Sequence, residues 1–150
     1  MINPVGAEMI DGTSPVIHLE TDKAWDILAG QRLGRLAIWA EDGVDIFPIN
    51  YAVDGESIVF RTAEGSKLSG LKAHNMVTFE TDRWDPVYGF SVVAKGRAVP
   101  ITSPDELRMV TKLKLRPWVP TVKLTFVRIV VTSISGRRFE FGQDPVDDFR

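Results

Sequence analysis

The chain has 150 residues, of which 44% are hydrophobic, 25% charged and 9% aromatic; this is ordinary globular composition, and a chain of this length buries roughly 70% of its unfolded surface without needing disulfides or structural metal. It has no cysteine, which excludes disulfide frameworks, thiolate metal sites, iron–sulfur clusters and cysteine nucleophiles and points to a reducing cytoplasm, while a net charge of −2 argues against a dedicated nucleic-acid binder. No uninterrupted apolar run reaches the 18 or so residues of a membrane span, and Met1–Ser14 holds Glu8 and Asp11 but no basic side chain, so neither a membrane anchor nor a secretory leader is expected.

The first 19 residues carry Pro4, Gly6, Gly12 and Pro15 without periodicity and read as an N-terminal arm, with residues 20–150 as a single domain. From Thr21, the expected N-cap, Asp22–Ala29 places an acid in the first turn, Trp25 and Leu28 on one face and Gly30 at the stop, which predicts a short amphipathic helix. The period then falls to two. Leu33–Ala40 and Val44–Val53 are strands joined by the turn Glu41-Asp42-Gly43, and Asp54-Gly55 turns the chain into a third strand, Ser57–Thr62. A short helix over Ser66–His74 precedes a fourth strand at Val77–Thr81. Phe90–Val99 is a long strand whose internal Gly96 predicts a bulge. Ser103-Pro104-Asp105-Glu106 is a capping box opening a helix to about Lys112. A proline-bounded crossover over Lys114–Pro120 leads to the last strand, Val122–Thr132, with Phe139–Phe141 as a possible continuation.

Six strands with short turns and only brief helices predict a mainly β, six-stranded antiparallel barrel, because closure removes the sheet edges that an open sheet would expose. A parallel α/β fold is excluded, since the first three strands are joined by turns too short for crossovers. Between Leu107 and Phe139 the chain has eight basic residues, among them Arg108, Arg128, Arg137 and Arg138, and no acid. The expected reading is solvated positions balanced in space by acids from elsewhere; an anionic partner is the alternative.

Signatures of phosphate-loop nucleotide hydrolysis, dinucleotide binding, zinc proteolysis and α/β-hydrolase chemistry are missing. Two histidines and no cysteine leave no metal site to expect. The most specific feature is Phe60-Arg61-Thr62-Ala63-Glu64-Gly65-Ser66-Lys67-Leu68, where a strand ends and a helix begins. A helix N-terminus offers free N–H groups and the positive end of its dipole, Gly65 allows close approach, Thr62 and Ser66 bring hydroxyls, and Arg61 and Lys67 can neutralise a phosphate monoester. The alternative is two solvated cations beside a turn.

The order Gly34–Ala37, Phe47–Tyr51, Asp54-Gly55, Phe60–Thr62 with Gly65–Leu68, Val77–Glu80, and Ser91–Val93 with Gly96–Ala98 resembles the pyridoxamine 5′-phosphate oxidase-like flavoproteins, over roughly residues 20–141. The resemblance implies a split β-barrel and a homodimer with two FMN molecules at the subunit interface. It also implies that Arg61, Thr62, Ser66 and Lys67 hold the phosphate, while Pro48, Ile49 and Asn50 lie along the edge of the flavin ring. Pro48 suits a strand that spares its main-chain groups, and Asn50 brings both a donor and an acceptor. Tyr51 reads as a core aromatic. Trp84 and Trp118, expected in loops, read as interface anchors. True pyridoxamine phosphate oxidases are longer and carry a C-terminal arginine and histidine motif that Gln143–Arg150 lacks, so vitamin B6 oxidation is not expected. No residue is assigned a catalytic role. The expected function is an FMN-dependent oxidoreductase acting on a small molecule. Two alternatives are a deazaflavin-dependent reductase, whose anionic tail the basic 108–138 stretch would receive, and a non-enzymatic flavin or haem carrier or sensor.

Overall fold

A computed structural model of the chain describes residues 14–63, 66–113, 115 and 125–142, with residues 66–68 as backbone only. In chain order the elements are β1 (Val16–Leu19), α1 (Thr21–Gly30), β2 (Leu33–Ala40), β3 (Gly43–Asp54), β4 (Ser57–Thr62), α2 (Ser66–Ala73), β5 (Met76–Trp84), β6 (Tyr88–Pro100), α3 (Pro104–Val110) and β7 (Thr125–Glu140). Every strand pairing is antiparallel.

Strands β7, β4, β3, β2, β5 and β6 follow one another around a ring, and a β6–β7 ladder from Tyr88↔Glu140 to Pro100↔Val127 closes it. This is the six-stranded barrel expected from the alternating pattern. A seventh strand is added. The far edge of β7 bonds β4 through Thr125–Val130 and then β1 through Gly136–Phe139, so β1 occupies the edge that β4 leaves uncovered. Val16–Leu19 therefore belongs to the sheet and not to an arm. Its four residues are too short for a periodic signal, and their partners lie about 120 positions away in sequence.

Local chemistry accounts for most of the turns. Gly55 takes φ +60 in the β3–β4 hairpin, a left-handed conformation that glycine adopts without the Cβ clash other residues incur. Ser103 caps α3, its side chain accepting from the Glu106 N–H. The cap of α1 differs from expectation: Glu20 is the N-cap, without a side-chain bond, and Thr21 is the first helical residue. The Glu20 carbonyl accepts from the Ala24 N–H at 3.0 Å, while Asp22 supplies the negative charge in the first turn. The predicted bulge is present, as a register shift between Lys95 and Gly96. A Cβ on Gly96 would collide with the Val130 carbonyl, so the close approach of β6 to β7 depends on its absence.

Inside the barrel Leu36, Phe60, Phe79, Val92 and Ile129 are fully buried, and α1 plugs one end with Ala24, Ile27 and Leu28. Each such side chain contributes about 1.5–3 kcal/mol through burial. A smaller cluster of Val59, Ile101, Val110 and Phe126 packs α3 against the outside of β4 and β7. Trp84 ends β5 and is exposed, rather than lying in a loop. Of the expected crossover over 114–120 only Leu115 is described; Trp118 and residues 122–124 lie outside the described residues. Arg108 pairs with Asp105 of its own helix, and Arg128 is held by Asp54 and Glu106 at 2.9 Å each; acids outside the basic stretch thus balance part of it.

Candidate functional site

Strand alternation assigns the faces of β4. Ile58, Phe60 and Thr62 point into the barrel, whereas Val59 and Arg61 point outward. Arg61 stands opposite Phe126 in the β4–β7 ladder, its guanidinium carbon 5.0 Å from that ring's centroid. Such stacking holds the plane of a guanidinium in one orientation. Thr62 is buried, and its hydroxyl donates to the Ala63 carbonyl at 3.1 Å. Adjacent in sequence, Arg61 and Thr62 therefore lie on opposite faces. Helix α2 begins at Ser66, four residues after β4 ends, and carries Ser66 and Lys67 in its first turn. Their side chains, like Gly65, lie outside the described residues. Within an eight-residue helix the first-turn N–H groups have no intrahelical acceptor, the arrangement that suits a phosphate.

Strand β3 supplies the second part. Its pairing with β2 runs through all of Gly43–Asn50, but its pairing with β4 covers only Tyr51–Asp54. Before Tyr51 the two strands separate, and one edge of β3 has no strand partner among the described residues. Pro48, Ile49 and Asn50 lie in that open segment, and Asn50 sits one position beyond the last β3–β4 pair, Tyr51↔Phe60, next to Arg61 in the sheet. Pro48 is exposed, as a residue without an N–H tolerates at an unpaired edge. Ile49 is a core side chain, so only its main chain faces the edge. Asn50 Nδ2 donates to the Arg32 carbonyl at 3.4 Å. The structure thus brings Pro48–Asn50 and Arg61 to the same split in the sheet, with the start of α2 following.

Tyr51 is the core aromatic expected. Its hydroxyl donates to the Leu28 carbonyl at 2.6 Å, its ring meets Phe79 edge-on at 4.7 Å, and burial pushes its pKa up to about 12. Sequence reading missed Arg35, which joins β2 to β5 through Nε to Glu80 at 2.8 Å and a second nitrogen to Asp82 at 3.1 Å. The alternation of Glu80 and Asp82 was the available signal, but the pairing of strands 45 residues apart was not.

A closed antiparallel barrel with an anion-suited strand-to-helix junction beside an open strand edge defines a split-barrel protein. The family model of pyridoxamine 5′-phosphate oxidase matches residues 20–138, and the chain belongs to that family. An uncharacterised Mycobacterium tuberculosis protein is 40% identical over 93 residues, 62% of this chain and 84% of that one. Among solved structures, a Corynebacterium glutamicum protein provisionally named a pyridoxamine 5′-phosphate oxidase has TM-score 0.80 and 38% identity over 87% of this chain and 98% of its own. An FAD-binding protein of Mycobacterium smegmatis has TM-score 0.73 and 35% identity over 83% and 98%.

Proposed function

We propose that this chain is a flavin-dependent oxidoreductase that holds FMN in the split between β3 and β4 and acts on a small molecule. The observation that carries the reading is the meeting of Arg61 and the first turn of α2 with Pro48–Asn50, the stretch of β3 beyond its ladder with β4, a cation and a helix N-terminus at one end and a strand edge at the other. That donor set fits a flavin phosphate and ring. Arg61, Ser66 and Lys67 would hold the phosphate, with Thr62 shaping the strand end from the inner face. The main chain of Pro48 and Ile49, with the Asn50 amide, would hold the ring edge. The similarity to an FAD-binding protein at 35% identity supports a flavin. A bound flavin supplies the hydride chemistry, and the chain supplies binding, orientation and shelter from water.

FMN is favoured over a deazaflavin with an anionic tail because Arg108 and Arg128, two of the cations that would receive the tail, already pair with Asp105, Asp54 and Glu106. The same reading makes the molecule a cytoplasmic homodimer with its flavin sites at the interface. The exposed apolar side chains of Val44, Ile46 and Met76, on strands next to Pro48, support this.

The test is differential binding. Arg61→Ala and Lys67→Ala should each weaken FMN by about 1.5–3 kcal/mol, because a charge-assisted contact is lost, and should leave riboflavin little affected. Equal losses for both ligands, or none for either, overturn the assignment. Purified protein that takes up no flavin overturns the cofactor.

A further inference from the structure

The inner face of the sheet continues beyond the helix that plugs the barrel. Thr81, Val92, Gly136 and Leu19 stand in one row across β5, β6, β7 and β1, and α1 lies over that row, with Ala24 packed where Gly136 has no side chain. Two residues away along each strand, towards the β5–β6 hairpin and on the same face, the row is Arg83, Phe90, Arg138 and Ile17. Phe90 packs against the core, and Tyr88 follows it on that face, the two ring centroids 6.4 Å apart. Two arginines thus flank an aromatic pair on a ledge beside α1, their Cα atoms about 10 Å apart across two strand intervals.

Rings rather than acids hold these two guanidinium groups. The guanidinium carbon of Arg83 lies 4.6 Å from the Phe90 centroid, and that of Arg138 lies 4.8 Å from the Tyr88 centroid. Arg35, Arg108 and Arg128 are each ion-paired, whereas Arg83 and Arg138 have no ion pair among the described residues. Stacking engages the face of a guanidinium, while its N–H donors lie in the plane, so the rings orient each group and leave its charge uncompensated. Two carboxylates stand near this end of the sheet. Asp85 accepts from the Val87 and Tyr88 N–H groups and so belongs to the hairpin turn, and Glu140 is opposite Tyr88 in the β6–β7 ladder. Two oriented cations with an apolar ring pair between them match a ligand with an aromatic middle and an anionic group at each end. A flat cation would be repelled by the same groups.

We propose that this ledge is a binding site for a small aromatic dicarboxylate, its ring against Phe90 and Tyr88 and one carboxylate on each of Arg83 and Arg138. The inference is independent of the flavin reading, because Arg61, the start of α2 and Pro48–Asn50 take no part in it. Terephthalate is the probe, benzoate its singly charged counterpart and benzamidinium its cationic one. Each is titrated into the full chain, with and without FMN, while the backbone amide signals of Arg83, Phe90 and Arg138 are followed by nuclear magnetic resonance. Terephthalate should shift these signals saturably and bind about tenfold more tightly than benzoate, whether or not FMN is present, and benzamidinium should leave them in place. Arg83→Gln and Arg138→Gln should each bring terephthalate close to the affinity of benzoate, at a melting temperature within a few degrees of the parent. Lys112→Gln, which removes an exposed cation just past α3, should change nothing. The proposal is overturned if terephthalate does not saturate or binds no more tightly than benzoate, or if benzamidinium shifts the same signals equally. It is also overturned if both arginine variants bind as the parent does, or if Lys112→Gln weakens terephthalate as much as they do.

Discussion

At the scale of single residues, buried polar groups carry the sharpest expectations. Tyr51 is 3% exposed and its hydroxyl donates to the Leu28 carbonyl near the end of α1. Tyr51→Phe should cost about 1–2 kcal/mol, because the buried carbonyl loses its donor. The pH dependence has a definite sign. Burial raises the folded pKa from 10.0 to about 12, so the folded state holds the phenol proton more tightly than the unfolded chain does. That contribution is intact below pH 10 and is lost as pH rises towards 12, a change of roughly 2.7 kcal/mol at most. Urea melts of parent and variant across pH 9–12 should converge as pH rises. A constant difference would mean that the phenol is solvated. Tyr51 was legible in the sequence as a core aromatic because it alternates with Ile49 and Val53. Its acceptor was not, because Leu28 belongs to a helix 23 residues earlier.

At the scale of elements, what could be read was what short-range chemistry determines. The Ser103 cap, the Gly55 turn and the Gly96 bulge each depend on residues within a few positions, and each is present. Ser103→Ala should lower stability by about 1 kcal/mol, seen in thermal melts. Gly96→Ala should cost more, at least about 2 kcal/mol, because the new methyl meets backbone of β7 rather than a movable side chain. Similar costs for the two substitutions would show that the bulge relaxes. What could not be read depends on distant pairing. Strand β1 exists because β4 begins only at Ser57, opposite Val130, and leaves the second half of β7 an open edge, and nothing near Val16 encodes that. The candidate site divides in the same way. Arg61 and the start of α2 follow from the local motif, and the opposite facing of Thr62 follows from the two-residue period. The opening of β3 at Asn50 follows from where its ladder with β4 ends, a property of two strands together.

For the whole molecule, closure and exposure pull in opposite directions. The β6–β7 ladder closes the sheet, so the edges that would drive indiscriminate association are largely removed. Yet Val44, Ile46 and Met76 remain 54%, 65% and 41% exposed on the outer face of β3 and β5, with Lys95 and Arg97 across the next ladder. An apolar strip with a polar rim is the composition of an interface core, and a two-fold pairing buries the same strip on both copies. It lies beside Pro48, on the strand that carries the open edge, so a partner there would also wall the flavin split from outside. Sedimentation at micromolar concentration should therefore give about twice the chain mass of 16.7 kDa. Ile46→Glu puts one carboxylate on each copy into the middle of the strip, where it would be buried without a partner. This variant should sediment at the single-chain mass while melting within a few degrees of the parent, because Ile46 touches no core cluster. Its FMN affinity should fall as the outer wall is lost. A single-chain parent, or an Ile46→Glu dimer, would remove this face from the interface and leave the split open to solvent.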